Sequence, residues 1–477
     1  MIGEFTRTAP AFSEFSNHLY LAFPVRAFRN AQLLWLNKRW MTVAGLAVDQ
    51  DGCDRFGRWL LDRYAVGVPQ PSDPDTSYSG GWRTMYADRY GSNAGSTQGG
   101  SGRVGTLGLF NAKGIGQTPL VSPRTDWYHS HGCLWLEEAI REAINSEIAA
   151  VEFPHGAIPT IAVIDTGERI NWAPGDSGER RAILVRPAFL RLASLQRSIF
   201  FGDAGHAGTA QYVDAQRMRD LWRAIFPPQA DAWGRLHGLF ERIGEQYGAG
   251  NAKRLWPGPL FSSNVTLTGA LTDFGGFRAV WSWKRGRGHT QTRDFGGEQG
   301  FAETTARALA MTAAKHGHTI SADSLIAAFT RGRAMGFGRA LPHPRTVLDE
   351  GMAALFRTSF ARQQRIRCEM GKDDGDEWLA DAEGGAPAGS PVAQQERALL
   401  DARWDAAGGT SVALAAFLRP RHLIIRERLL HDCQALIADM DDQGAVSPAR
   451  VAAFIEERIS APSSSMGRMH DEPDHAR

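Results

Sequence analysis

Residues able to hold a polyphosphate and its metal occur in a telling order along this chain. A glycine-rich turn, Gly100-Ser101-Gly102-Arg103-Val104-Gly105, is followed by a cation in Asn111-Ala112-Lys113-Gly114 and, far downstream, by Asp273-Phe274-Gly275. Chemistry at phosphate needs positive charge on the non-reacting oxygens, and a carboxylate and an amide oxygen to hold the metal. Lys113 can supply the charge, and Asn264 and Asp273 the metal ligands. Glu142 can fix the lysine if its helix faces Lys113; spacing alone equally allows it to be a solvated helix carboxylate. A second triplet, Asp294-Phe295-Gly296, follows the basic stretch Lys284 to Arg287 and reads as a surface turn. The first triplet is preferred because Asn264 and a strand-like run, Val265 to Leu271, precede it.

The order glycine loop, lysine, helix glutamate, Asp-Phe-Gly is that of a protein kinase. The His-Arg-Asp catalytic loop is missing, and Ser262-Ser263-Asn264 stands in its place. With 52 glycines in the chain, a lone G-x-G-x-x-G is a weak signal. A dinucleotide-binding unit would need a long helix directly after it, whereas Leu107 to Phe110 reads as a second strand. No G-K-[ST] closes any glycine run, so a Walker loop is excluded.

Elements must position these residues. Leu136, Ile140, Ile144 and Ile148 recur four apart and predict a helix over Leu134 to Val151. Ile158 to Ile164 and Ala182 to Val185 are short apolar runs that predict strands of one sheet. The first hundred residues read as mixed structure in which loops are expected to dominate, with an apolar run around Ala31 to Val43 and then a Pro/Gly/Ser-rich stretch from Gly67 to Gly81. Beyond about Gly297 helical periodicity prevails, in Ala302 to Ala314, Ser321 to Phe329, Val347 to Phe360 and Leu423 to Met440. The expected organisation is an N-terminal lobe (1–175), a C-terminal lobe (176–370), a linker or loop (371–391), a helical region (392–461) and a disordered tail (462–477).

The chain has 477 residues, 43% of them apolar, and a formal net charge of +1. No global field favours nucleic acid, and the local basic runs (Arg362, Arg365, Arg367; Arg419 to Arg428) read as solvated helix faces. Cys53, Cys133, Cys368 and Cys433 form no C-x-x-C pair, which predicts reduced thiols and a cytoplasmic location. Neither an apolar leader in Met1 to Pro10 nor a stretch long enough to span a membrane is present, so no membrane partner is expected. His129 and His131 near Cys133 have no helical metal-ligand spacing and are read as shaping acceptor access. Trp82, Tyr86 and Tyr90 are read as core packing.

Lys113-Gly114-Ile115-Gly116-Gln117-Thr118-Pro119, Ala139-Ile140-Arg141-Glu142 with Ser146-Glu147, and Ile158-Pro159-Thr160 resemble, in wording and order, the selenoprotein O family of kinase-like proteins. Leu184-Val185-Arg186-Pro187-Ala188-Phe189-Leu190-Arg191 and Asp273-Phe274-Gly275-Gly276-Phe277 extend the resemblance, which covers about Ala31 to Gly297. It implies an α+β, protein-kinase-like two-lobed fold with a mainly helical C-terminal extension. It also implies transfer of AMP from ATP, with Mg2+ or Mn2+, to a hydroxyl on a protein or peptide. Lys113, Arg186 and Arg191 would then hold the terminal phosphates, with Gly102, Arg103 and Gly114 beside them; Glu142 would orient Lys113, and Asn264 and Asp273 would carry the metal. This chain departs from the family in having Ser263 where an aspartate usually precedes the asparagine, in a closer arginine pair, and in an insertion containing Trp127 to His131. A phosphotransferase on the same scaffold and a non-catalytic nucleotide-binding module are the alternative expectations.

Overall fold

The computed structural model describes residues 9–70, 73–91, 99–121, 125–126, 130–171, 178–198, 207–253, 255–279, 298–340, 426–442 and 446–460. It is a mixed α+β structure built on an antiparallel sheet. The strands are β1 (Tyr20–Phe28), β2 (Gln32–Leu36), β3 (Val66–Gly67), β4 (Tyr78–Asp88), β5 (Val104–Leu107), β6 (Phe110–Lys113), β7 (Leu134–Trp135), β8 (Ala162–Ile170) and β9 (Glu179–Pro187). They run in the order β2-β8-β9-β6-β5-β4-β1-β3, with β7 beside β9. Helices α1 (Lys38–Val43) and α2 (Gln50–Tyr64) follow β2, and α3 (Leu136–Glu152) follows β7.

Strand β6 sits inside this sheet and is buried at all four positions. Because side chains alternate across a strand, Phe110 and Ala112 enter one core with Phe56, Leu60 and Tyr64 of α2. Asn111 and Lys113 take the opposite face, towards α3. Cross-strand register places Asn111 opposite Arg186 and Lys113 opposite Leu184 of β9. The sheet thus gathers Lys113 and Arg186 on one face before any helix is added.

That face is covered by α3, whose residues Leu136 to Ala149 are all buried. Leu136, Ile140, Ile144 and Ile148 join a second core, leaving Glu138 and Glu142, one turn apart, on a neighbouring stripe. Beyond the sheet come α4 (Ala207–Ile225), α5 (Ala232–Lys253), the short pair β10 (Leu255–Trp256) and β11 (Arg278–Ala279), and helices α6 (Glu298–Lys315) and α7 (Ala322–Ala340). Gly332 and Gly336 let α7 approach α5 closely, since a Cβ at either would lie only 1.9 and 2.0 Å from the carbonyl oxygens of Glu241 and Glu245.

The last helices, α8 (Arg426–Asp442) and α9 (Pro448–Ser460), return to the sheet. Glu456 accepts from Trp35 Nε1 at 2.8 Å and pairs with Arg39 at 2.8 Å, and Arg39 also reaches Glu147 of α3 at 3.1 Å. Asp441 of α8 meets Arg180 and Arg169 at 2.6 and 2.8 Å. Val451 and Ile455 of α9 are fully buried. Ile455→Ala is therefore expected to cost about 2–5 kcal/mol of stability, as for other core truncations, measured by urea denaturation of the whole chain.

Several expectations need correction. The first hundred residues are not dominated by loops: they carry β1 to β4 and two helices, and Gly67 to Gly81 holds strand residues at both ends. The division at residue 175 falls between β8 and β9, which pair with each other, so the sheet continues to Pro187. The predicted strand Leu107 to Phe110 is split by a tight turn at Gly108 and Leu109: Leu107 ends β5, Phe110 begins β6 and the two pair, with Gly108 at φ 59°. Val265 to Leu271 forms a turn closed by bridges at its ends, with Gly269 at φ 91°. Trp82 is 64% exposed rather than packed in the core. The predicted helix Val347 to Phe360, the linker 371–391 and the tail 462–477 lie outside the described residues, as do Cys368, His129 and the second Asp-Phe-Gly.

Candidate functional site

Lys113, at the end of β6, is 4% exposed and donates to Glu142 Oε2 at 2.5 Å and to Asp273 Oδ1 at 3.0 Å. Lys113 and Asp273 lie 160 positions apart, and the three residues come from a sheet strand, a helix and a turn. Glu142 is 1% exposed and accepts also from Arg186 Nη1 at 3.2 Å, so one buried carboxylate joins two cations from adjacent strands. Arg186 reaches Asn111 Oδ1 at 3.3 Å and Thr272 Oγ1 at 3.5 Å. Burial depresses the Arg186 pKa even with Glu142 beside it.

Arg103 leaves the glycine-rich turn to bind Glu138 at 2.9 Å, and Lys113 lies 3.9 Å from the same carboxylate. Burial opposes ionisation of Glu138, but Arg103 and Lys113 prevail and hold its carboxyl below the usual range. Motif order in the sequence does not single out Glu138. Its position one turn before Glu142, on the same stripe, is the signal that could have found it.

The Asp-Phe-Gly turn is docked beneath α3. Asn145 donates to the Phe274 carbonyl at 3.2 Å and Arg141 to that of Gly275 at 3.4 Å, while Arg141 is itself held by Glu137 at 2.6 Å. Among the described residues Asp273 is the only non-glycine at positive φ, 67°. That conformation turns its carboxylate, 44% exposed, towards Lys113. Lys113 chiefly, with Arg103 and Arg186, holds the Asp273 carboxyl well below the ordinary carboxylate range. Asp273 is therefore ionised at neutral pH. Its pairing with Lys113 contributes stability above the unfolded value of about 3.9 and is lost only as pH falls below that into strong acid.

Asn264 lies next to this turn, its carbonyl accepting from the Thr272 amide at 3.0 Å. Its side chain donates to Pro259 O at 3.4 Å and accepts from Ser263 Oγ at 3.3 Å. Arg191 donates to the Ser263 carbonyl, lies 3.9 Å from Asp88, and stacks 4.8 Å over Phe189 and 5.0 Å over Tyr90. Its Nε, the atom that faces Asp88 at 3.9 Å, is buried and forms no hydrogen bond among the described residues. Such an orphaned donor beside a cluster of cations fits a site for an anionic group.

Two predicted residues serve the backbone. Gly102 accepts from the Thr118 amide at 3.0 Å through its carbonyl, and Gly114 donates to Arg103 O at 2.8 Å. Gly114 has φ 97°, and a Cβ there would lie 2.4 Å from Leu134 Cβ; its glycine is required by packing under β7. His131 Nδ1 accepts from the Cys133 amide at 3.0 Å, a local turn contact, and burial pushes the Cys133 thiol up.

Among the described residues no group of three or more His, Cys, Asp and Glu is placed to hold a metal. Asn264 and Asp273 each carry a side-chain oxygen of the kind a divalent cation takes, and a site with two such ligands leaves its other positions to water or further oxygens. Compared with protein-family models and with curated proteins, the chain matched none.

Proposed function

We propose that this chain is an ATP-dependent nucleotidyltransferase of the selenoprotein O kind, on a kinase-like two-lobed scaffold, that transfers AMP to a hydroxyl of a protein or peptide. The observation that carries the reading is the Lys113–Glu142–Asp273 chain of ion pairs, assembled from three distant segments. Lys113, Arg186 and Arg191 are 4%, 3% and 8% exposed, whereas Asp273 is 44% exposed. Buried cations draw the most highly charged part of a ligand towards them. In the proposed reading the terminal phosphates lie against these buried cations and the α-phosphate towards the more exposed Asp273, the polarity AMP transfer requires.

In this reading Glu142 holds Lys113 extended, and Arg103, positioned by Glu138, neutralises the phosphates nearest the glycine-rich turn. Asn264 and Asp273 would hold a divalent cation, which when bound offsets phosphate charge in the transition state. Ser263 is no carboxylate base. Its hydroxyl orients Asn264 and its carbonyl anchors Arg191. Loss of a general base typically costs about 10² to 10⁴ in rate, so Ser263→Ala, which removes no base, is expected to slow turnover less than about tenfold, read from initial rates at saturating ATP.

The testing experiment supplies ATP labelled at the α- or the γ-phosphate, with Mn2+ or Mg2+, and follows label on the chain itself and on candidate acceptors. Retained α-label is expected. Retained γ-label alone would make the chain a phosphotransferase with the opposite nucleotide polarity.

A further inference from the structure

None of these residues lines the cavity of about 710 Å³ that lies where α4 and α6 end. Arg219 and Arg223, one turn apart on α4, line it together with Lys315 at the end of α6 and with His316 and His318. Gly317, at φ 84°, reverses the chain after α6 and brings both imidazoles onto an aromatic floor. His316 stacks on the buried Trp222 at 5.5 Å and 12°, and His318 lies 6.0 Å from Trp222 and 5.9 Å from Phe226.

No carboxylate lines the cavity among the described residues. Arg197 at its edge is already matched by Asp214 at 2.8 Å. Arg219, Arg223 and Lys315 are exposed and form no ion pair among the described residues. Cations near helix C-termini have an ordinary explanation, since each terminus carries about −0.5 charge. Two termini offset only about one of these three charges, leaving roughly +2 with both imidazoles neutral. The groups also face one another: burial first, then His318, Arg219, Arg223 and Lys315, lower the His316 pKa.

We infer that this cavity is a second anion site, for a small oligophosphate rather than for the reacting nucleotide. Its volume is that of a small-molecule pocket, and two guanidinium groups on one helix face match phosphate oxygens in bidentate fashion. Each imidazole adds a ring N–H as a further donor.

The test is calorimetric titration of inorganic pyrophosphate, without metal, into the full chain and into full-length Arg219→Gln/Arg223→Gln, Lys315→Gln and Lys113→Met variants. The Arg219→Gln/Arg223→Gln pair is expected to weaken one binding event at least about tenfold, as loss of charged hydrogen bonds does. Lys315→Gln should weaken the same event less, and Lys113→Met should leave it intact. Because the arginines and Lys315 are exposed, these variants keep the test valid even if the buried Lys113 substitution does not fold. Equal binding by the wild type and the arginine variant would overturn the inference. Binding of a glutamate-rich peptide in place of pyrophosphate would overturn the assigned ligand class.

Discussion

Asp273→Asn is expected to lower AMP transfer on the order of 10³-fold, the scale associated with losing a charge-stabilising group in the transition state, while leaving the fold intact. The backbone explains the choice of asparagine. At φ 67° asparagine tolerates the left-handed conformation, whereas alanine would add about 1 kcal/mol of strain. Lys113 keeps Glu142 at 2.5 Å when the aspartate charge is removed. Initial rates with α-labelled ATP, beside urea denaturation of the same samples, separate the two effects. A variant that unfolds would show that Asp273 is chiefly structural, and one that keeps its rate would remove it from the chemistry.

Glu142→Ala is expected to be the most destabilising change at the site, by about 3–5 kcal/mol, because it strands two buried cations without their shared partner. Lys113 retains Asp273, but among the described residues Arg186 keeps hydrogen bonds only to Asn111 and Thr272, beside its stacking on Phe189. The pairing is tested by a double-mutant cycle of Glu142→Ala with Lys113→Met, monitored by the urea midpoint. A coupling of about 0.5–3 kcal/mol is expected for residues in contact. Additive losses would mean that the pair contributes little beyond its separate packing.

The parts of the site that depend on local pattern are legible in the sequence. Four-residue spacing marks α3, so Glu142 can be placed off the apolar stripe, and the order of motifs points to Lys113 and Asp273. What stays hidden depends on distant pairing. Asn145 and Arg141 look like ordinary helix residues until the Phe274 and Gly275 carbonyls arrive from 129 and 134 positions away. Trp35 and Glu456 meet across 421 positions, and no local propensity encodes that contact. Strand β4 is obscured because Gly80 and Gly81 interrupt its alternation and its middle faces outward. The β5–β6 turn reads as strand because Leu109 and Phe110 continue an apolar run across Gly108.

The central claim is that Lys113, Glu142 and Asp273 form a nucleotide phosphate site, and an acyl-phosphate derivative of ATP tests it most directly, because its acyl group passes to a lysine amine lying beside the phosphates. Peptide mapping by mass spectrometry is expected to find the acyl group on Lys113, with labelling suppressed by excess ATP and Mn2+. Labelling confined to other lysines, or labelling of Lys113 that ATP does not suppress, would contradict the account.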